Sequence, residues 1–281
     1  MPAMDAWWAA LRRGEWLFEE LGPAFRAALL GRLADRASPA ELARAPLHRL
    51  TALAYGVVAT LPAADDAAGL LLADVAPALR DHWDAVIRHF EANGEHRRPS
   101  ASQVALVDRA LARLAERWPA AHHAFTRWIS VVCPLAGRGF VQGSHPHAFG
   151  CVFVDEQCLD QEERHLAVAL VHELAHHELF LLNLHDRLIA PGRAAAVRHA
   201  PFQRRERPAI ARLHAAHALF RTIAARAALE LDVEDEPELL RATADTLAGE
   251  LTPFAAELLA VHVEAPRSRA SAARSGGTGS S

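Results

Sequence analysis

The chain has 281 residues, 51% hydrophobic and 23% charged, so it can bury a core and is neither a disordered chain nor a disulfide-stabilised miniprotein. Thirty basic side chains stand against 34 acidic ones, a formal net charge of −4, which disfavours a nucleic-acid partner. All thirty basic residues are arginines, and this excludes any mechanism that needs a lysine amine.

Three features of the chain indicate a cytoplasmic protein. Its three cysteines, Cys133, Cys151 and Cys158, match no metal or disulfide spacing, which is typical of a reduced compartment. The first residues lack the basic start and apolar core of a secretion signal. No apolar run approaches the roughly 20 residues of a membrane helix. We therefore expect no membrane partner.

The first 128 residues have a helical pattern, because apolar residues return every three or four positions. Ser100 and Gln103 form a capping-box sequence that predicts the start of a helix. The pattern predicts an all-helical module over residues 1–128, a candidate for peptide or partner recognition.

The pattern changes at residue 129, and we assign residues 129–263 to a catalytic domain. Two short strands are predicted, over 129–133 and 150–154, and a long helix to about Leu182 is apolar nearly all round and therefore buried. A loop over 183–205 precedes a helix over 207–229, two amphipathic helices end near residue 263, and residues 264–281 are expected to be disordered. The expected fold is mainly α (α+β): a helical N-terminal module, a small antiparallel sheet, and the buried helix packed with further C-terminal helices, with a zincin-like core as one form.

The buried helix contains the sequence His172-Glu-Leu-Ala-His176, an HExxH motif. Histidines four positions apart project from one face of a helix, so both imidazoles can reach one metal ion beside Glu173. In a chain of this length and composition, about 0.07 HExxH matches are expected by chance. The motif predicts a metal site, and the alternative is a pair of satisfied core histidines.

A third ligand is not fixed by the motif. Leu179 and Leu182 stand where a metzincin needs glycine and histidine, which excludes that class. A gluzincin would use a later glutamate, for which Glu206 and Glu230 are available. His214, in the helix after the loop, is the better-placed candidate, and the alternative for it is an ordinary core or surface histidine. The loop Ser-His-Pro-His at 144–147 is a further stretch that could line the site.

The HELAH sequence after a strand, followed by Arg-Pro-Ala-Ile-Ala-Arg-Leu-His at 207–214, resembles a bacterial HExxH-motif family associated with peptide natural-product clusters. The resemblance covers about residues 130–225. It implies a stand-alone Fe(II)- and 2-oxoglutarate-dependent β-hydroxylase of a ribosomally made precursor peptide, working beside other peptide-modifying enzymes of its cluster. Ala215 and His217 replace the glycine and the aromatic residue that the family commonly has there.

The resemblance also implies roles for single residues. His172, His176 and His214 map onto the metal site, and Glu173 is a ligand or a hydrogen-bonding neighbour. An arginine should bind the distal carboxylate of 2-oxoglutarate. Arg221, two turns beyond His214 on the same helix face, is the first candidate, and Arg207 and Arg212 are the alternatives.

Two other classes of protein remain open. In a zinc metallopeptidase of zincin type, Glu173 is the general base and zinc replaces Fe(II). In a non-catalytic helical binding protein, the metal only stabilises the fold. The predicted strand at 150–154 could pair with an extended peptide in either enzyme, so a peptide substrate does not separate the enzyme classes.

Overall fold

The computed structural model describes residues 2–17, 29, 30, 33, 95, 96, 99–136, 141–155, 158, 159 and 162–275. In these residues the protein is a mainly helical α+β structure, which confirms the expected fold class. In chain order the elements are α1 (Pro2–Arg13), β1 (Glu95–His96), α2 (Ala101–Arg117), α3 (Pro119–Trp128), β2 (Val131–Ala136), β3 (Gln142–Gly143), a 3₁₀ turn (Pro146–Ala148), β4 (Cys151–Asp155), α4 (Glu163–His185), β5 (Val197–Ala200), β6 (Arg205–Pro208), α5 (Ala209–Ala228), α6 (Glu236–Asp245) and α7 (Pro253–Ser275).

The chain divides into two units. The central unit is continuous and comprises residues 18–181. The terminal unit combines residues 1–17 with residues 182–281, so it is built from both ends of the chain. The boundaries predicted from sequence, at 128/129 and 263/264, stay predictions.

The capping box at the start of α2 is confirmed. The Ser100 hydroxyl accepts a hydrogen bond from the Gln103 backbone N–H (3.2 Å), and the Gln103 side chain accepts one from the Ser100 N–H (2.9 Å). Each bond satisfies a backbone donor at this helix end. The following helix, α3, begins with Pro119, a favoured residue in a first turn.

The four-stranded sheet of the central unit has the order β1-β2-β4-β3. The strands at its centre agree with the sequence prediction, but the sheet is mixed and not antiparallel: β2 and β4 are parallel, while β1 and β3 pair antiparallel. A parallel pair needs a long crossover, and the segment between β2 and β4, which includes β3, supplies it. All five residues of β4 are buried, so this sheet provides one wall of the central core.

In the terminal unit, α5 packs against α6 and α7, and α1 packs against α7. Trp7 and Trp8 of α1 both contact the Phe254 ring of α7, with centroid distances of 6.4 and 5.4 Å. The segment predicted as a loop over 183–205 contains β5, which pairs antiparallel with β6. The α7 helix reaches Ser275, within the segment for which the sequence predicts disorder, and residues 276–281 lie outside the described residues.

None of the helices in the described part of the chain combines the length and the apolar character that crossing a membrane requires.

Candidate metal centre

Around the HELAH sequence, the α4 helix is buried on almost every side. Over residues 170–182, every side chain is buried except those of His172 and His176, which are partly exposed. The two histidines therefore occupy the narrow accessible stripe of an apolar helix. These two side chains keep some exposed area, whereas the rest of the turn is closed to water.

The two histidine rings and Glu173 form one group. The His172 and His176 ring centroids are 5.0 Å apart with an interplanar angle of 81°. One ligand atom from each of His172, Glu173 and His176 lies within 4.8 Å of the others. Two imidazole nitrogens and a carboxylate oxygen suit zinc and non-haem Fe(II) alike, so the donor set fits a divalent ion without selecting it.

Glu173 is 1% exposed and accepts a hydrogen bond from the Ser144 hydroxyl at Oε2, 2.7 Å away. Burial raises the pKa of the Glu173 carboxyl to about 8, although hydrogen bonds from Ser144 and Gln142 oppose the rise. Both partners are neutral. A buried carboxyl beside neutral partners favours a cation at the same position, since the charged form is otherwise costly to bury.

The state of His172 also suits metal binding. Burial lowers the pKa of His172 to about 4. The imidazole is therefore neutral near pH 7, and a metal does not have to displace a proton from it.

His177 points away from this group, as expected for the residue adjacent to His176. It is fully buried, its ring contacts Phe149 (5.1 Å) and Phe180 (5.8 Å), and its Nδ1 donates to the Glu173 carbonyl (3.0 Å). Burial lowers the pKa of His177 to about 4. His177 is thus a core residue that supports the turn carrying Glu173.

Ser144 belongs to the loop that the sequence offered as a lining of the site, but its bond to Glu173 was not predicted, and Gln142 was assigned no role. Gln142 lies in β3 and Ser144 follows it, and 29 residues separate Ser144 from Glu173. The only sequence signal was a polar loop after a glycine-rich stretch. Of the four residues at 144–147, the serine contacts Glu173, while the His145 and His147 rings contact each other at 5.0 Å.

The other predicted site residues lie on the terminal unit. His214 is on α5 and is partly exposed between buried neighbours. Its role as third metal ligand stays a prediction. The gluzincin alternatives, Glu206 on β6 and Glu230 after α5, are both exposed.

Arg221 is fully buried on α5. Its guanidinium lies 4.1 Å from the centre of the Trp16 ring and donates to the carbonyls of Gly14 (3.2 Å) and Glu15 (2.8 Å). Arg221 thereby binds the chain after α1, and its role toward 2-oxoglutarate stays a prediction.

The alternatives to Arg221 lie at the start of the same helix. Arg212 is also fully buried and pairs with the Glu250 carboxylate, while its Nε donates to the Arg207 carbonyl (3.2 Å). Arg207 is partly exposed on β6.

A second histidine pair lies inside the terminal unit. His217 of α5 and His262 of α7 are fully buried and share a hydrogen bond, His217 Nδ1 to His262 Nε2, at 2.6 Å. The Phe220 ring stacks on His262 at 4.3 Å. Burial, with smaller effects of His217 and Arg221, holds the pKa of His262 well below its usual value. No sequence pattern indicated a role for His262.

No protein-family model matches the chain, and no curated protein shows significant similarity to it. The structure supports one part of the family resemblance, an HExxH-like group of His172, Glu173 and His176 that can hold a metal ion. This group hints at a metal-dependent enzyme.

Proposed function

We propose that the chain is a metal-dependent enzyme that modifies peptides, with His172 and His176 as metal ligands. One observation carries the proposal: the two histidines are the accessible side chains of an otherwise buried turn, and their nitrogens converge with the Glu173 carboxylate within 4.8 Å. Ionisable side chains in such an apolar helix are costly unless something pairs with them, and a divalent ion would do so.

The specific reaction that we propose is Fe(II)- and 2-oxoglutarate-dependent β-hydroxylation of a ribosomally made precursor peptide. Its support is the resemblance carried by HELAH and by the Arg-Pro…Leu-His sequence at 207–214. Fe(II) with 2-oxoglutarate supplies the oxidation of an unactivated C–H bond. His172, His176 and His214 would hold the ion, and Ser144 would fix the Glu173 side chain through the 2.7 Å hydrogen bond. The enzyme would act in the cytoplasm beside other peptide-modifying enzymes.

In this proposal Arg221 binds the distal carboxylate of 2-oxoglutarate. The guanidinium would donate hydrogen bonds to this carboxylate in addition to those that it donates to the Gly14 and Glu15 carbonyls. Weaker binding of 2-oxoglutarate by Arg221→Gln, with the metal retained, would support the assignment. Arg221→Gln also removes a structural contact, so its thermal unfolding must be measured in parallel.

A zinc peptidase is the second candidate, and the position of Glu173 favours it. The carboxylate is buried, lies near both histidine nitrogens, and is oriented by Ser144, which is what a general base beside a metal requires. In that reaction Glu173 would take the proton of the attacking water and pass it to the leaving amine.

The deciding experiment is visible absorption of oxygen-free protein loaded with Fe(II), with and without 2-oxoglutarate. A charge-transfer band that needs both components supports the hydroxylase. The band should disappear in His214→Ala. It should persist in the control variant His165→Ala, which removes an exposed histidine on the same helix as HELAH.

No band from folded, metal-loaded protein would overturn the hydroxylase. The peptidase is then tested with the zinc-loaded protein, where Glu173→Gln should keep the metal and lose peptide cleavage. If chelation lowers the melting temperature and neither activity is found, the metal is structural and both enzymatic proposals fail.

A further inference from the structure

The hairpin made of β5, β6 and the turn between them concentrates positive charge. Residues 197–208, which we call the arginine hairpin, contain four arginines and one glutamate, although the whole chain has a formal net charge of −4. Arg198, Arg204 and Arg205 are exposed. This local basic surface on an acidic chain favours an anionic partner.

The strand register places like charges together. Arg198 of β5 is directly opposite Arg207 of β6, and two positions along the same face Ala200 is opposite Arg205. The Glu250 carboxylate lies 2.7 Å from Arg198 but also binds the buried Arg212. Like charges directly opposite each other destabilise a strand pair. The arrangement therefore costs stability that an additional anion would restore.

Arg204 occupies a position that glycine would fill at lower cost. Its φ of 53° lies in the left-handed region, which is unfavourable for a residue with a side chain. Within the residues that the structure describes, neither Arg204 nor Arg205 pairs with a carboxylate. The turn thus holds an exposed guanidinium at the expense of backbone strain, as functional positions often do.

The same hairpin exposes apolar side chains and an open strand edge. Val197 is 54% exposed and Phe202, in the turn, is 40% exposed. In the described parts of the chain, the sheet has only two strands and the outer edge of β5 makes no backbone hydrogen bond. On β6, the Arg207 carbonyl already accepts a bond from Arg212. An extended chain can therefore add to β5 more readily than to β6.

We infer that the arginine hairpin docks an extended acidic peptide, which adds to the outer edge of β5 as a third strand. Its carboxylates would pair with Arg198, Arg204 and Arg205, and an apolar side chain would cover Val197 or Phe202. Backbone bonds supply affinity in this mode, and side chains on alternate positions supply specificity.

A peptide fits these observations better than a nucleic acid does. A phosphate backbone would use the guanidinium groups but neither the strand edge nor the two apolar side chains. The negative charge of the whole chain also opposes a long polyanion.

The inference rests on the proposed function for one point, that the docked peptide is part of the substrate, and it names the substrate class as acidic. The binding itself needs no metal. Docking and catalysis can therefore fail separately in experiments.

The test measures fluorescence anisotropy of a labelled peptide of about ten residues, alternating Asp or Glu with Leu or Val, on metal-free full-length protein. We expect binding that weakens as the salt concentration rises from about 50 to about 300 mM. Two control peptides separate the contributions. One has amides in place of carboxylates, and the other is N-methylated at alternate backbone nitrogens, so that it keeps its charge but cannot pair as a strand.

The variant Arg204→Gly with Arg205→Gln should weaken binding about tenfold, and Arg204→Gly relieves the strained φ, so misfolding would not explain the loss. Arg187→Gln, which removes an exposed arginine outside the hairpin, should change affinity less than about twofold.

Several results would overturn the inference: equal binding of the amide or N-methylated peptide, no effect of the double variant, or tighter binding of an oligonucleotide of equal charge. Peptide binding without turnover by the metal-loaded protein would count against the proposed function alone. Turnover that does not depend on the acidic segment would count against the arginine hairpin alone.

Discussion

Two histidine pairs in the described part of the chain have opposite surroundings. His172 and His176 are one turn apart on α4, and both are partly exposed. His217 and His262 come from α5 and α7, and both are fully buried. The ring centroids are almost equally spaced, at 5.0 Å in the first pair and 4.8 Å in the second. Ring proximity alone therefore does not distinguish a metal site from a structural contact.

The contacts of the ring nitrogens make the difference. In the buried pair the nitrogens are 2.6 Å apart and share a proton. Two ligands of one ion each stand about 2.0–2.1 Å from it, and at a tetrahedral angle this places them more than about 3 Å apart. In the HELAH pair, one ligand atom from each histidine and one from Glu173 lie within 4.8 Å of one another, a spacing that leaves room for an ion. The first group can therefore hold a metal ion, whereas the second pair holds α5 to α7.

The largest expected effect is on metal binding. His172→Ala or His176→Ala should lower the affinity for Zn²⁺ or Fe(II) by more than about 100-fold, because each removes a ligand. His217→Ala should retain the wild-type metal stoichiometry. Metal content after dialysis and competition with a chromophoric chelator measure both. Stoichiometric metal in both HELAH variants would refute the assignment.

The second effect is on the free energy of unfolding, where the buried pair should matter more than the HELAH pair. His217→Ala should reduce the free energy of unfolding by about 2–3 kcal/mol, since it opens a cavity and leaves His262 buried without its partner. In metal-free protein, His172→Ala should cost about 1 kcal/mol or less, as expected at a partly exposed position. Urea unfolding at low temperature with a chelator present compares the two variants. Equal losses would erase the distinction between the pairs.

The third effect is a pH dependence of stability. The pKa of His262 is lowered in the folded protein and returns to about 6.5 on unfolding, so the unfolded chain takes up a proton first. The His262 contribution to stability should be constant above about pH 7.5 and should fall below pH 6.5, by at most about 1.4 kcal/mol per pH unit. Glu173, whose pKa is raised to about 8 in the folded protein, changes stability in the opposite direction.

His172 and His177 change stability in the same direction as His262, because their pKa values are also lowered in the folded protein. The contribution of His262 is therefore obtained by comparing wild type with His262→Gln. The quantity compared is the slope of the free energy of unfolding against pH, measured by urea unfolding from pH 8 to about pH 5. Identical slopes would show that His262 is not buried in its neutral form.

The smallest effect concerns the partner of Glu173. Ser144→Ala removes the 2.7 Å hydrogen bond but no metal ligand, so metal affinity should change by less than about tenfold. Ser144→Thr, which keeps the hydroxyl, should restore the wild-type value. A loss in Ser144→Ala as large as that in His172→Ala would mean that Glu173 is itself an essential ligand.

Local patterns of the sequence predicted much of the fold. The long apolar run of α4, the strands β2 and β4, and the helix that became α5 follow from periodicity over neighbouring residues. The HELAH group was predictable for the same reason, because the geometry of one helix turn brings His172, Glu173 and His176 together.

The missed features depend on contacts between distant residues. His262 is a single histidine on α7, and only packing against α5 reveals its partner, 45 positions earlier. The loop with Ser144 was a candidate lining of the site, but its bond to Glu173, 29 positions later, was not predictable. The strands β5 and β6 have four residues each and are rich in arginine, so no apolar alternation marks them. The parallel pairing of β2 with β4 is likewise set by the crossover and not by strand composition.

The position of Arg221 has a consequence for synthesis on the ribosome. Its contacts with the Gly14 and Glu15 carbonyls span 207 and 206 positions of the chain. The central unit is continuous, so it can fold as it emerges, whereas α1 leaves the ribosome long before α5 and α7 exist. Throughout that interval Trp7, Trp8 and Trp16 lack the Phe254 and Arg221 side chains that they contact in the folded unit, so a nascent-chain chaperone could bind these exposed rings.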